Sequence, residues 1–274
     1  MRILSLNCWG GRVGVSLVDY LRSAQADLLC LQEVVHAPGC PQEWLDYREG
    51  GIELPQRANL FQEIVEALPS HVGLFCPAAR GDLFDGDRAV ATEWGLATFV
   101  RRELVVIGQA QGFVHGDYAA GSWGPHPRGR NAHVVRIFDF TTRHAVTVAH
   151  MHGLRDPAGK ADTAARLVQA DRFAALVRAV AGPDEPVIAC GDLNVLPGSA
   201  TFARLGTLGL RDLVTARGET DTRTSLYRKQ PRWADYLLVN GRVRVERFEV
   251  VAEPEVSDHR PLLLDFTAAH AAAT

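Results

Sequence analysis

The sequence lacks the features of a membrane protein and of a disulfide-stabilised one. No stretch approaches the roughly 18 consecutive apolar residues of a membrane helix, so we expect no membrane partner. The chain enters a strand pattern at Arg2, which predicts that it has no secretory signal. There is no Cys-x-x-Cys pair, and most cysteines lie in or beside apolar runs, where a thiol acts as a small buried apolar group. We therefore expect a reduced, cytoplasmic protein without a disulfide framework.

A strong charge of one sign is also absent. The 29 Lys and Arg against 32 Asp and Glu give a formal net charge of -3. This charge argues against a strong overall electrostatic affinity for polyanions, because nonspecific affinity for nucleic acids comes mainly from Lys and Arg on phosphates. A local basic groove is still compatible with the net charge. No low-complexity linker and no repeat of fixed period divides the chain. We expect residues 1–274 to form one domain without an obligate protein partner.

Two common kinds of hydrolytic site are missing as well. The His and Cys residues do not have the ligand spacing of a zinc site. No Gly-x-Ser-x-Gly motif marks a serine nucleophile. Neither a zinc hydrolase nor a Ser-His-Asp hydrolase is expected.

What the sequence does contain is a short apolar run, Val187 to Cys190, that ends abruptly at Gly191. Such a run is typical of a buried strand. Asp192 and Asn194 follow it two residues apart, so both side chains point the same way if strand geometry persists to the end. A carboxylate and an amide held together at a strand end can hold a metal, a nucleophilic water and a phosphate oxygen.

The rest of the chain reads as strands with a few helices. Apolar runs and alternation predict strands at 2–7, 28–31, 73–76, 95–100, 104–107, 133–138, 144–152, 187–190, 236–239, 243–251 and 262–266. Helices are expected after caps at Ser16 and Asp162 and near 61–68 and 202–205. Irregular loops are expected at 36–56, 80–93 and 108–131. Hairpins mixed with crossovers predict an α/β protein of mixed sheets with helices outside.

Polar side chains at or near these strand ends come from at least six separated segments. Each alone is more often a surface turn, a cap or a core histidine than a functional group. Together and in this order they form a specific pattern of Asn7, Glu33, His150, His152, Asp192, Asn194, Asp235, Asp258 and His259.

This pattern resembles that of the endonuclease/exonuclease/phosphatase superfamily, which has the DNase I-like fold, and in particular a bacterial-type member. The matching motifs run from residue 6 to residue 261 and are Leu6-Asn7, Leu31-Gln32-Glu33-Val34, His150-Met151-His152-Gly153, Gly191-Asp192-Leu193-Asn194, Asp235-Tyr236 and Ser257-Asp258-His259-Arg260-Pro261. The resemblance implies a four-layer α/β sandwich, with two mixed β-sheets packed face to face and helices outside. It also implies an active site at the edge where both sheets end.

The resemblance further implies metal-dependent hydrolysis of a phosphoester. Mg²⁺, or Mn²⁺ in its place, would be held by Glu33, because these cations prefer oxygen ligands. Asn7 would support the metal or its water, and Asp258 would lie near it. The metal would polarise a phosphoryl oxygen and offset charge on the leaving group.

The catalytic roles implied by the resemblance fall on four more residues. Asp192 would orient and deprotonate the attacking water, and Asn194 would hold that water or a phosphate oxygen. His259 would donate a hydrogen bond or a proton to the phosphate. Asp235 would accept a hydrogen bond from the other ring nitrogen of His259 and so fix its tautomer.

One further histidine at the end of a central strand contacts the phosphate in this superfamily, and two candidates lie here two residues apart. The His-Gly pair that closes the strand favours His152 as the catalytic residue. The alternative frame favours His150, which is otherwise expected to bind substrate. Arg130 and Asn131 are also expected to bind substrate, since Arg suits bidentate phosphate contacts.

These expectations describe a metal-dependent phosphoesterase and favour a phosphodiesterase that acts on a small phosphodiester or on a nucleic-acid end. The alternative is an endo- or exonuclease on DNA or RNA. Against it, the chain is slightly acidic and carries His where the DNA-repair members carry Tyr. An alternative of another class is a non-catalytic module that binds a phosphate ligand, but the full set of catalytic residue types favours an enzyme.

Overall fold

Two mixed β-sheets form the framework of the structure, a computed structural model that describes residues 1–268. The strands are β1 (Arg2–Asn7), β2 (Leu28–His36), β3 (Trp44–Glu49), β4 (Ile52–Arg57), β5 (His71–Asp85), β6 (Arg88–Arg101), β7 (Leu104–His115), β8 (Arg130–Asp139), β9 (His144–His152), β10 (Val187–Asp192), β11 (Arg211–Asp212), β12 (Asp235–Val239), β13 (Val243–Val250) and β14 (Leu262–Ala268). Within the described residues, one sheet has eight strands in the order β13-β14-β1-β2-β6-β5-β3-β4. The other has six, in the order β11-β12-β10-β9-β8-β7.

The helices lie on the outer faces of the two sheets. They are α1 (Val15–Ser23), α2 (Leu60–Ala67), α3 (Ala164–Val180), α4 (Ala200–Gly206) and α5 (Leu213–Ala216). α1 and α2 pack on the eight-stranded sheet, whereas α3 packs on β7, β8 and β9 of the six-stranded sheet and on α4. The result is a four-layer α/β sandwich, which confirms the predicted fold class. None of the helices in residues 1–268 combines the length and the apolar character needed to span a membrane.

Alternate side chains of the central strands are buried in different layers. In β1, Ile3 lies in the cluster between the two sheets and Leu4 in the cluster beneath α1 and α2. In β2, Cys30 and Leu29 divide in the same way. Because successive side chains of a strand point to opposite faces, a strand covered on both faces must be apolar throughout. This is why the continuous apolar runs were recognisable, and why the two sheets share one core.

A buried polar network crosses that core. Gln32 Nε2 donates to the backbone O of Cys30 (2.9 Å) and to Nδ1 of His150 (3.2 Å). Nε2 of His150 then donates to Oγ1 of Thr98 (2.8 Å), whose own proton is left for Nδ1 of His133 (2.7 Å). Burial lowers the pKa of His133 to about 4, and it lowers that of His150 well below its ordinary value. The chain of donors ties both sheets together next to Glu33 and His152.

Three segments expected to be loops are largely strands. Residues 44–57 form the β3–β4 hairpin, and β5 and β6 continue to the pair Asp85 and Arg88. β7 extends to His115, so the loop is confined to residues 116–129. These strands are exposed on one face and carry Gly, Pro and Asp, so they lack the apolar runs that mark buried strands. Their apolar side chains form a small separate cluster that includes Leu45, Leu83 and Trp123.

Both predicted caps are wrong in detail. Ser16 lies inside α1, which begins after Gly14, a residue with φ of 71°. α3 is capped by Thr163, whose side chain accepts from the backbone N of Arg166 at 3.3 Å. Asp162 instead accepts from Oγ of Ser199 and from the backbone N at the start of α4 (2.5 and 2.9 Å). The neighbouring Thr163 has the extended backbone that an N-cap requires.

Candidate active site

Strand register brings three of the predicted site residues side by side. β9 and β10 pair in parallel and β10 and β12 pair antiparallel, so His152, Asp192 and Asp235 occupy matched positions. In the other sheet, the parallel pairing of β1 with β2 ends at Asn7, opposite Gln32. The two sheet edges face each other across a hydrogen bond between Asn7 and Asp192. The candidate site lies where they meet.

Asn7 joins the two sheets at this edge. Its Nδ2 donates to Oε1 of Glu33 (3.1 Å) and to Oδ2 of Asp192 (3.0 Å). Its Oδ1 accepts from the backbone N of Trp9 at 3.0 Å, which fixes the orientation of the amide. Asn7 is fully buried. One amide therefore holds the carboxylate predicted to bind the metal beside the carboxylate predicted to activate water.

Glu33 and Asn194 both have a left-handed backbone, each with φ of 53°. That conformation costs a non-glycine residue roughly 1–2 kcal/mol, and such strain is concentrated at functional sites. Glu33 lies at a bulge where the register of β2 with β6 shifts between Leu31 and Val34. The backbone N of Asn194 donates to Oδ1 of Asp192 at 3.1 Å. Glu33 therefore lies at a bulge within β2, and Asn194 lies just beyond the end of β10; both departures from regular strand geometry redirect a side chain.

Two glycines allow β9 and β10 to end in close contact. A Cβ on Gly191, where φ is 123°, would lie 2.2 Å from the backbone O of Met151. A Cβ on Gly153 would lie 2.3 Å from the backbone O of Leu193. Only glycine fits at either position, so the glycines of the two motifs serve the approach of the strands that carry the site.

The ring of His259 is held by Asp235. Nδ1 donates to both carboxylate oxygens of Asp235, at 2.9 and 2.8 Å. The other ring nitrogen, Nε2, lies 3.7 Å from Oδ2 of Asp192 and 3.7 Å from Oδ1 of Asp258. Burial lowers the pKa of His259 and raises that of Asp235. Nε2 thus faces the carboxylate cluster, which is the orientation that a phosphate contact needs.

His152 faces the site, whereas His150 does not. Nε2 of His152 lies 3.7 Å from Oδ2 of Asp192 and 3.8 Å from Oε1 of Glu33, and its ring packs against Trp94. Burial lowers the pKa of His152 well below its ordinary value. Both ring nitrogens of His150 are hydrogen bonded within the network between the sheets. The structure therefore contradicts the expectation that His150 binds substrate, because no ring nitrogen is left for a ligand.

Arg130 lies at the site, whereas the side chain of Asn131 bonds to the backbone of β5. Nε and one terminal nitrogen of Arg130 are buried with no hydrogen-bond partner in the part of the chain that the structure describes. Burial, opposed by the charges of Glu33 and Asp192, lowers the pKa of Arg130 to about 10. Nδ2 of Asn131 donates to two backbone carbonyls of β5, at 2.8 and 3.2 Å. That donor is thus engaged in joining β8 to β5.

The oxygen donors at the site fit a divalent cation. Burial raises the pKa of Glu33, opposed by the Asn7 hydrogen bond and reinforced by the charge of Asp192. The pKa of Asp258 is also raised, by burial, and the charge of Glu33 adds to the effect. Oδ1 of Asp258 is buried and has no hydrogen-bond partner among residues 1–268. Clustered carboxylates with excess negative charge and a free oxygen are the donor set of a hard cation.

A second group of possible ligands lies close to Glu33 and Asp258. One ligand atom from each of Asp192, Asp235 and His259 lies within 4.8 Å of the others. Asp235, however, already uses both oxygens on His259. The grouping with Glu33 and Asp258 therefore offers the freer oxygens.

Two cations at the site were missed by the sequence analysis. Arg223 donates to Oδ2 of Asp258 at 2.9 Å and contacts Nε2 of His259. Lys160 donates to the backbone carbonyl of Trp233, and burial lowers its pKa, opposed by the charges of Asp192 and Asp235. Both lie in irregular segments without a motif, so no pattern in the sequence singles them out.

Comparisons with known proteins identify the family and the fold of this chain. The chain matches the family model described as the Endonuclease/Exonuclease/phosphatase family over residues 4–259. An endonuclease/exonuclease/phosphatase from Bacteroides vulgatus superimposes with a TM-score of 0.69 at 17% identity, covering 97% of this chain and 98% of that chain. A mannosyl-6-phosphatase from Bacteroides thetaiotaomicron gives 0.64 at 17% identity, with 97% and 99% covered. The human Nocturnin catalytic domain, solved with a bound sulfate, gives 0.61 at 18% identity, with 98% and 93% covered. At such identities the likeness shows the fold alone, and no curated protein matches this chain.

Proposed function

The chain belongs to the endonuclease/exonuclease/phosphatase family, whose members hydrolyse phosphoester bonds, and on that premise we propose that it is a divalent-metal-dependent phosphoesterase. The observation that carries the proposal is the convergence on Asp192 of groups from both sheets. Asn7 donates to its Oδ2, and ring nitrogens of His152 and His259 lie 3.7 Å from the same atom. Such a carboxylate is suited to accept a proton from an attacking water.

The metal would be Mg²⁺ or Mn²⁺, held by Glu33 and Asp258 with Asn7 fixing the first of these. When bound, the ion polarises a phosphoryl oxygen and offsets charge on the leaving group. Support comes from the raised pKa values of the two carboxyl groups and from the unpartnered oxygen of Asp258 among the described residues.

The protein's own groups divide the remaining work. Asp192 orients the water and takes its proton, while the amide of Asn194 holds the water or a phosphate oxygen. His259 presents Nε2 to the phosphate, and Asp235 holds its ring through Nδ1. His152 contacts the phosphate from the end of β9. These are the roles that donors and acceptors of these kinds perform in acid–base and electrostatic catalysis.

For the substrate we propose a small phosphodiester. Arg130 and Lys160 carry their charge close to the carboxylate cluster, which suits one phosphoryl group. The net charge of -3 does not favour a long polyanion, for which an extended basic surface is the usual requirement. A nucleic-acid end presents the same chemistry and belongs in the test.

The test is turnover of bis-p-nitrophenyl phosphate and p-nitrophenyl phosphate with Mg²⁺ or Mn²⁺, each with and without EDTA. The panel extends to nucleotides, inositol phosphates, phospholipid headgroups, and single-stranded and duplex nucleic acids. We expect metal-dependent turnover that EDTA abolishes and that Asp192→Asn lowers. Absence of metal-dependent turnover on every phosphoester of the panel would refute the proposal and favour a binding module.

A further inference from the structure

Arg223 contacts two neighbouring residues of the last motif in the chain, Asp258 and His259. One terminal nitrogen donates to Oδ2 of Asp258 at 2.9 Å and also contacts Nε2 of His259. The backbones of Arg223 and His259 form an antiparallel bridge. Since a guanidinium has only donors, Nε2 of His259 is the acceptor in this contact. Arg223 therefore engages the ring nitrogen that the proposed function assigns to the phosphate.

The segment that carries Arg223 is fixed to the framework. The backbone O of Arg223 accepts from Arg232 at 2.7 Å and from Arg260 at 2.9 Å. Both of these arginines also pair with Asp221. The guanidinium of Arg223 lies over the ring of Tyr227, 4.2 Å from its centroid. The side chain is therefore held in place before any ligand arrives, which lowers the entropic cost of binding.

Arg223 still has a donor to offer. The side chain is only 7% exposed, and its buried Nε has no hydrogen-bond partner within residues 1–268. A buried N–H without an acceptor is unfavourable, so a ligand oxygen at this point would be stabilised. The planar arrangement of guanidinium donors matches the spacing of phosphate oxygens.

Arg223 and Lys160 bring positive charge to the carboxylates of the site. The charges of Asp192, Asp235 and Asp258 keep Arg223 ionised by raising its pKa against burial. Burial lowers the pKa of Lys160, and the negative charges of Asp192 and Asp235 oppose that shift. Two cations from different segments thus flank the same carboxylate, Asp192.

We propose that Arg223 binds a nonbridging oxygen of the substrate's phosphoryl group beside His259. This inference rests on the proposed function and adds a phosphate-contacting residue to it. The phosphoryl oxygen takes the N–H groups that Asp258 does not use. That oxygen replaces Nε2 of His259 as an acceptor of Arg223.

The experiment measures binding of inorganic phosphate to the full chain by isothermal titration calorimetry, once with Mg²⁺ and once with EDTA. The proteins are the wild type, Arg223→Gln, Arg223→Lys and a control, Arg136→Gln. The control breaks an arginine–carboxylate pair with Glu185 that lies outside the site. Loss of one charge-assisted hydrogen bond should weaken phosphate binding by roughly 10- to 100-fold in Arg223→Gln. Arg223→Lys should fall between, and the control should match the wild type.

The measurement separates this inference from the proposed function. Phosphate binding within twofold of the wild type in folded Arg223→Gln, with unchanged KM, overturns the inference even if the enzyme turns over phosphoesters. Arg223-dependent phosphate binding without turnover of any phosphoester refutes the function and leaves the contact standing. If Arg223→Gln does not fold, Arg223→Lys decides alone: wild-type phosphate affinity in that variant overturns the proposal, because a point charge would then suffice.

Discussion

Asp192 accepts hydrogen bonds from two directions at once, and this makes it the most constrained residue of the site. Oδ1 takes the backbone N of Asn194 and Oδ2 takes the amide of Asn7. The same Oδ2 faces the rings of His152 and His259. Replacing Asp192 by Asn therefore changes the proton acceptor of the site while a side chain of the same size stays in place.

Asp192→Asn should lower kcat by about 10² or more, because an amide cannot take a proton from water. The amide oxygen of the new side chain can still accept from the backbone N of Asn194, so the fold should persist. Steady-state kinetics and a melting curve of the same preparation check both statements. A rate near that of the wild type would remove Asp192 from the role of base.

His150 and His152 should respond to substitution in opposite ways. His152→Ala should cause the larger loss of kcat, because its ring faces Asp192 and Glu33. His150→Ala should cause the larger loss of stability, because Gln32 and Thr98 each lose one hydrogen-bond partner in the core. Activity assays and urea unfolding of both variants make the comparison. A larger kcat loss in His150→Ala would restore the alternative frame of the strand.

At the scale of elements, the network between the sheets sets how β2, β6, β8 and β9 meet. Thr98 is its centre, since its hydroxyl group serves both His133 and His150. The network adjoins the strand ends that carry Glu33 and His152. Packing of apolar side chains alone would tolerate small slips between sheets, whereas this chain of donors accepts one register.

Thr98→Val should destabilise the protein by about 1–3 kcal/mol, although the two side chains have the same shape, because two buried ring nitrogens lose their partner. Thr267→Val is the matched control, since that residue is exposed and, among residues 1–268, its hydroxyl bonds to Glu246 alone. Urea unfolding followed by circular dichroism gives both values. Equal stability of the two variants would mean that the network contributes nothing measurable.

Sequence patterns identified elements in proportion to their burial. The strand predicted at 144–152 has the bounds of β9, and the apolar run Leu28 to Leu31 marks the start of β2. Strands with one exposed face, such as β3 and β4, contain no continuous apolar run, so the sequence pattern predicts a loop there. Catalytic residue types at strand ends were recognised because their motifs have an order. Arg223 and Lys160 were missed because only tertiary contacts bring those segments to the site.

At the scale of the whole molecule, the site exists only when the two sheets are packed together. Asn7, Glu33 and Asp258 come with one sheet, and Asp192 and Asp235 with the other. Binding of the proposed metal would therefore be coupled to folding, because a ligand that binds only the folded state stabilises it.

Saturating Mg²⁺ or Mn²⁺ should raise the unfolding free energy, by about 2.7 kcal/mol at a concentration 100 times the dissociation constant. EDTA should reverse the effect. Glu33→Gln should abolish most of the metal-dependent increase, because it replaces a carboxylate by a weaker neutral ligand. Thermal melts across a metal titration provide the measurement, and an undiminished increase in Glu33→Gln would exclude Glu33 as a ligand.

Stability should also fall as the pH falls. The pKa of His133 is lowered by burial from 6.5 to about 4 in the folded protein. Between those values the unfolded chain binds more protons, so the stabilising contribution is complete above pH 6.5 and is lost as the pH falls towards 4. The contribution is on the order of 3 kcal/mol. Urea unfolding from pH 7.5 to 4.5 should show a shallower pH dependence in His133→Asn, and an identical dependence would contradict the assignment.

The β3–β4 hairpin lies at the far edge of its sheet, and its backbone pairs with β5 at one position, Asp46 with Phe84. None of the strand-end groups of the site comes from it. It does adjoin the turn after β1, where Gln56 and Arg57 lie against Gly10 and Gly11. The hairpin therefore packs against the turn that follows Asn7 without supplying any of the groups that converge on Asp192, and Arg57 ties it to α2 through Glu63.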